Sequence, residues 1–161
     1  MALRLRDAGP EDLHLVLRFI RALAEYERLA HEVRADEATL GAFLFGTPRR
    51  AEALVAEWNG TPVGFAVWYY SFSTFLGRPS LYVEDVFVEP AMRGRGIGKG
   101  VFAHLASRAV AQGCGRMEWS VLDWNAPSIA FYRSLGAQPR EGWTLQQLTG
   151  EALSALASQQ G

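Results

Sequence analysis

From Arg93 the chain runs Arg-Gly-Arg-Gly-Ile-Gly-Lys-Gly, with glycines at 94, 96, 98 and 100. Three cations and four flexible residues stand at the mouth of an apolar periodic segment. A strand followed by such a turn and a helix is an anion site, because the helix N-terminus offers unpaired N–H groups and about half a positive charge. Glycines remove the Cβ atoms that keep a phosphate from the backbone, and they allow φ values that aim successive N–H groups one way. Arg93, Arg95 and Lys99 add charge suited to a diphosphate. The dinucleotide pattern G-x-G-x-x-G fails, since positions 99 and 101 are Lys99 and Val101. The P-loop pattern fails too, because Gly100 follows Lys99 and position 93 is not glycine.

Other side chains could do acid–base work. Glu84 and Asp85 sit in the otherwise apolar run Leu81 to Val88. Neighbouring strand residues face opposite sides, so both reach one pocket only if the strand is bulged. Tyr132 falls in a stripe with Ile129 and Leu135 that fits burial as well as chemistry. Cys114 lies between two glycines with no histidine near it in sequence, which disfavours a covalent cysteine intermediate. His14, His31 and His104 lack metal-ligand spacing, so no metal is expected.

The pattern that fits the turn is R-x-x-G-x-G, here Arg93 to Gly98. It resembles the acetyl-coenzyme A motif of the GNAT superfamily of N-acetyltransferases. Leu81-Tyr-Val-Glu-Asp-Val-Phe-Val88 before it is similar to the spermidine/spermine and thialysine N-acetyltransferase branch. So are Asp123-Trp-Asn-Ala-Pro-Ser-Ile-Ala-Phe-Tyr132 after it, Ala24-Glu-Tyr-Glu27 and Glu141-Gly-Trp143. The motifs run in order over essentially the whole chain.

The resemblance implies an acetyl-coenzyme A-dependent enzyme acting on a small cationic amine such as a diamine, polyamine, thialysine or an amino acid-like amine. It implies that the amides of Arg93, Gly94, Arg95, Gly96, Ile97, Gly98 and Lys99 hold the pyrophosphate. The backbones of Val86, Phe87 and Val88 would pair with the pantetheine arm, and Asn125, Ala126, Pro127, Ser128 and Tyr132 would complete the coenzyme contacts. Asn125 and Ser128 are equally suited to cap a helix opening at Pro127.

Acetyl transfer needs a neutral amine, a stabilised oxyanion and a protonated leaving thiol. An alkyl ammonium with a pKa of about 10.4 is neutral in about one molecule in 10³ at pH 7, so a base is required. The resemblance makes Tyr132 the proton donor to the thiolate and Glu84 the carboxylate on the amine side, with direct attack in a ternary complex. Tyr26, Glu27, Glu84, Glu118, Trp119, Ser120 and Glu141 are the expected acceptor contacts, a ring of carboxylates and aromatics for a cation. The polyamine enzymes carry an acid where this chain has Thr74, which favours a shorter acceptor. A protein or peptide acetyltransferase and a non-catalytic acyl-coenzyme A sensor are the alternatives.

The elements that must position these residues follow from periodicity. Leu3 to Arg6 reads as a strand; Gly9 to Asp12 opens a helix with the apolar face Leu13, Val16, Leu17, Ile20, Leu23 and Ala24. Asp36 to Phe45 reads as a helix, and Ala53 to Trp58 with Val63 to Tyr70 as a hairpin turning at Asn59-Gly60-Thr61-Pro62. Leu81 to Val88 is a strand, and Val101 to Gln112 a helix burying Phe102, Leu105, Ala106, Ala109 and Val110. Met117 to Leu122 is a strand, Pro127 to Leu135 a helix stopped by Gly136, Trp143 to Leu148 a last strand, and Gly150 to Ala157 a short helix. The expected fold is α/β (α+β): a mixed, mostly antiparallel twisted sheet with helices on both faces, in one domain spanning residues 1–161.

A net charge of −1 gives no reason to expect nucleic acid or an anionic membrane as partner. One cysteine suits a reducing compartment, no run approaches the roughly 18 apolar residues of a spanning helix, and a cytoplasmic location is expected. The family commonly forms homodimers, and the segments Trp68 to Phe75 and around Trp143 are the expected contacts.

Overall fold

The structure, a computed structural model, describes residues 2–160 and divides into two compact units, one ending at Asn125 and the other beginning at Ala126. The first unit opens with strand β1 (Leu3–Asp7), a short 3-10 turn (Pro10–Asp12) and helix α1 (Leu13–Tyr26). Helix α2 (Glu37–Leu44) follows, capped by the Asp36 carboxylate, which accepts from the Thr39 N–H at 2.8 Å. Strands β2 (Glu52–Trp58), β3 (Thr61–Ser73) and β4 (Arg78–Val88) come next. Helix α3 (Ile97–Ala111) and strand β5 (Arg116–Trp119) complete it. The sheet order is β1-β2-β3-β4-β5, with antiparallel pairs except β4 and β5, which are parallel. The mixed, mostly antiparallel sheet is the expected one.

Alternation along β2 and β3 builds two cores. Leu54, Ala56, Ala66 and Trp68 face α3, where Ile97, Val101 and Leu105 cover them. Ala53, Val55, Phe65 and Val67 face α1 and α2, meeting Leu15, Val16, Phe19 and Leu44. Both faces of the central strands are buried, which is why they read as unbroken apolar runs. The start of α1 is pinned by Arg6, whose guanidinium donates to both Asp12 oxygens at 2.8 and 2.9 Å and to Glu57 at 2.6 Å. That anchor fixes where the other end of α1, with Tyr26 and Glu27, is delivered.

Several expectations are corrected. Leu15 and Phe19, left off the predicted face of α1, are buried, and Phe19 stacks on Phe65 at 5.5 Å. Helix α3 begins at Ile97 rather than Val101, while Val110 and Ala106 face solvent because the core side of the last turns is Leu105 and Ala109. Trp68 is fully buried and cannot belong to an exposed contact segment.

The second unit holds helix α4 (Ala126–Ser134) and helix α5 (Gly150–Ala157). Gly136 at φ +92° ends α4 as expected, with Ala137 N–H bonding the Tyr132 carbonyl at 3.1 Å. The strand expected over Trp143 to Leu148 is absent: these residues are irregular, and among the described residues of this unit there is no strand for them to pair with. Among the described residues no helix is long and apolar enough to cross a membrane.

Candidate functional site

The pairing of β4 with β5 stops at Val83 and Trp119, while β4 runs on to Val88. Its last five residues therefore keep one edge open. Glu89 N–H bonds the Val63 carbonyl at 2.8 Å across to β3. Antiparallel alternation then spends the polar groups of Phe87 on β3 and aims those of Val86 and Val88 at the open edge. Of the three residues expected to pair with an extended ligand arm, Val86 and Val88 turn their main chain to the open edge, where the Val88 carbonyl already accepts from Arg93, and Phe87 instead buries its ring.

Beyond Val88 a 3-10 turn (Pro90–Met92) leads into the glycine run. Gly94 and Gly96 lie at φ +80° and +79°, in the left-handed region. Gly96 is the N-cap of α3 and supplies no side-chain cap; the first helical bond is Gly100 N–H to the Gly96 carbonyl at 2.9 Å. The amides of Ile97, Gly98 and Lys99 thus precede the helical ladder, while the Ile97 side chain is anchored in the core. Space is open over the Cβ positions of Gly94 and Gly96. These donors fit a diphosphate. Arg93 donates from Nε to the Val88 carbonyl at 3.1 Å and lies over the Tyr26 ring at 4.8 Å. Arg95 lies over Trp58 at 5.7 Å.

On the other side of the strand, β3 and β4 slip register: Val67 pairs with Asp85 and Trp68 with Val83, leaving Glu84 as the extra residue. This bulge is the device that lets Glu84 and Asp85 share a face. Asp85 is the perturbed group, its carboxyl pushed up to about 7 by burial first and then by the charges of Glu84 and Glu27. Glu27, at the C-terminal end of α1, is itself raised by burial. Tyr69 and Tyr82 touch at 5.1 Å beside them, and the phenol of Tyr69 is raised by burial and by Glu84. Tyr82 and Ser120 hydroxyls lie 2.8 Å apart.

Sequence reasoning weighed Asp85 beside Glu84 but gave the catalytic role to Glu84 alone. The signal was in the parity of the apolar positions: Leu81 and Val83 face one core, then Val86 and Val88 do, so the pleat must slip between them. Trp119 does not join this face. Its ring packs on Phe102 at 4.8 Å, on the α3 side. Glu118 and Ser120 alternate to the face of Tyr82, which is the register partner of Glu118. Tyr26 is a wall, but the cation on its ring is Arg93, and its hydroxyl donates to the Asn125 Oδ1 at 3.2 Å. Asn125 is buried, with its N–H on the Leu122 carbonyl at 2.9 Å. In the second unit Ala126, Pro127, Ser128 and Tyr132 lie on α4, and Tyr132 contacts Phe131 at 5.7 Å. Glu141 lies in the irregular segment after α4. Cys114 packs against the α3-side core and burial raises its thiol, the opposite of an activated nucleophile.

The chain is similar to known proteins in sequence and in fold. Residues 16–137 match the Acetyltransferase (GNAT) family. The chain is 39% identical to the thialysine N-epsilon-acetyltransferase of Bos taurus, over 95% of this chain and 96% of that one. It is 30% identical to the L-ornithine N5-acetyltransferase of Arabidopsis thaliana, over 95% and 87%. Among solved structures, an integron cassette protein from the mobile metagenome of V. cholerae superposes with a TM-score of 0.80 at 26% identity, covering 98% of each chain.

Proposed function

The chain belongs to the GNAT family of acetyltransferases, and we propose that it moves the acetyl group of acetyl-coenzyme A to the terminal amine of a small cationic acceptor, by direct attack in a ternary complex. The observation that carries this reading is the bulge at Glu84, which turns two carboxylates to one face beside Glu27. Relatives named for thialysine and ornithine point the same way.

Acetyl-coenzyme A supplies the thioester. The amides of the Gly94–Lys99 turn bind its diphosphate, and the open edge at Val86 and Val88 takes the pantetheine arm as an added strand would. An N–H on that edge, such as that of Val86, is placed to donate to the carbonyl oxygen as it becomes an oxyanion. Glu27 and Glu84 draw the ammonium in. Asp85, with a pKa near neutrality, takes its proton directly or through one water. The Tyr132 phenol donates its proton to the departing thiolate, a role the family resemblance gives it. Tyr132→Phe is expected to lower kcat about 10²-fold with coenzyme A binding unchanged by calorimetry. An unchanged kcat removes it from the mechanism.

Glu84 also sets its neighbour. Its charge raises the Asp85 carboxyl, so Glu84→Gln lets Asp85 ionise at lower pH. The acidic limb of the kcat/KM profile should then move to lower pH while KM for the amine rises. A limb that stays in place would mean the two carboxylates do not act together.

The acceptor is identified by thiol release with amino acids, diamines, polyamines and peptides as a panel. Release with the small cationic amines supports the reading; release only with peptides overturns it in favour of a protein acetyltransferase, and tight coenzyme binding without any release favours a sensor. The family match across residues 16–137 supports one catalytic domain, and we propose a cytoplasmic location because a single cysteine suits a reducing compartment. We also propose a homodimer, with the exposed Phe72, Phe75 and Leu76 of the β3–β4 hairpin as apolar contact area in place of Trp68. A single-chain mass by sedimentation equilibrium would set that aside.

A further inference from the structure

The face that carries Glu84 extends away from the bulge along β3, β4 and β5, and there its character changes. Ser71 pairs with Ser80 and Ser80 with Arg116, while Tyr69 pairs with Tyr82 and Tyr82 with Glu118. Alternation puts all of these on the face of the Tyr69–Tyr82 ring contact. Arg116 crosses β4 to reach β3, where its Nη2 donates to the Ser73 hydroxyl at 2.7 Å. Ser80, in the row it crosses, is 1% exposed. The Nε of Arg116 is buried without a hydrogen-bond partner; the nearest carboxylate oxygen, on Glu118, is 3.8 Å away, an ion-pair distance too long for a hydrogen bond.

The face is therefore polarised. Three carboxylates, Glu27, Glu84 and Asp85, stand at the bulge, and at the other end the Arg116 guanidinium bonds the Ser73 hydroxyl and lies 3.8 Å from the single carboxylate of Glu118. A strip with acids at one end and an arginine at the other complements a molecule with an amine at one end and a carboxylate at the other. A guanidinium has five N–H donors in a planar fork that matches a carboxylate. A diamine laid on the same strip would set its second ammonium beside that cation, a like-charge contact that discriminates against it.

Resting on the acetyltransferase reading above, we propose that Arg116 is the specificity-determining residue of the acceptor site, binding the carboxylate of an amino acid whose side chain ends in a primary amine and disfavouring the corresponding diamine. The rows of Arg116 and Glu84 are four residues apart along β4, about 13 Å at about 3.3 Å per residue. Long side chains lean into this gap from both ends. When the guanidinium swings from Ser73 toward Tyr82, the charged tips bracket a chain of lysine-like length.

The test compares kcat/KM for lysine, thialysine and ornithine with that for their decarboxylated diamines, in the natural protein, Arg116→Gln and Arg116→Lys. The natural protein is expected to prefer the amino acids. Arg116→Gln should raise their KM about 10- to 10²-fold with little change in kcat, the loss of a charge-assisted contact made in both ground and transition states. Diamine turnover should hold or rise, and Arg116→Lys should recover part of the amino-acid preference. An unchanged amino acid-to-diamine ratio in Arg116→Gln overturns the proposal, as does a natural protein that prefers diamines. Equal loss of both series, with a lowered melting temperature, would make Arg116 a structural tie and also overturn it. A natural protein that acetylates neither series sinks the acetyltransferase reading itself, an outcome distinct from activity with an indifferent ratio.

Discussion

Replacing Asp85 by asparagine lowers kcat about 10²- to 10⁴-fold and, at pH 8, raises the melting temperature. Both effects come from one cause. The carboxyl is held at about 7, against an ordinary 3.8, because burial and then the charges of Glu84 and Glu27 oppose its ionisation. Such a group is a base matched to neutral pH, half ionised where it works and able to take a proton from an approaching ammonium. The same shift weakens the fold. Between the ordinary carboxyl range and about pH 7 the folded chain keeps a proton that the unfolded chain has released, so stability falls as pH rises through that window and levels off above it. Asparagine carries no charge at any pH and escapes that loss, but it cannot accept the proton. The acidic limb of kcat/KM, expected near pH 7 in the natural protein, should vanish in the variant. A variant with near-normal kcat and an unmoved limb would transfer the proton to a water chain led by Glu84.

The partner of that base shows how far the sequence can be read. Glu84 is visible as a charge in an apolar strand, whereas Asp85 becomes meaningful only with the bulge, which depends on how β3 lies against β4. Apolar parity along β4 encodes the slip, but a reading by simple alternation assigns one acid to solvent. Helix α1 was legible from its three-four spacing, yet Phe19 was not, because its burial depends on Phe65 on a distant strand. The early start of α3 hid behind low helix propensity: Gly98 and Gly100 read as loop. A Cβ on Gly100 would meet the tip of the Leu3 side chain at 2.7 Å, so α3 lies close to β1 there and a larger residue would make Leu3 shift. The segment Trp143 to Leu148 erred the other way. Its composition suits a strand, but a strand exists only where a second one offers a ladder. Arg116 is a surface charge in sequence and becomes a candidate selector only when the register sets it across Ser80 and onto Ser73.

Coenzyme A affinity should fall about 10³-fold in Gly96→Val, read by calorimetry. Gly96 sits at φ +79° as the N-cap of α3, a conformation that costs a β-branched residue about 1–3 kcal/mol. The chain relieves that strain by rotating toward negative φ, and the rotation turns the leading amides of α3 away from a common point. Losing two hydrogen bonds to a charged phosphate, at about 1.5–3 kcal/mol each, comes to about 4 kcal/mol, or three decades in Kd. Space over the Gly96 Cβ position is open within the protein, so the protein itself tolerates the added atoms and the strain falls on φ and on the ligand. Gly96→Ala, with the φ penalty but less bulk, should lose affinity by a smaller factor. Far-UV circular dichroism should stay unchanged in both, because α3 is held by Ile97, Val101 and Leu105 rather than by its cap. Coenzyme A binding within threefold of the natural protein in Gly96→Val would show that the cations Arg93, Arg95 and Lys99 hold the phosphates without the main chain, and the fit of this turn to a diphosphate would then rest on charge alone.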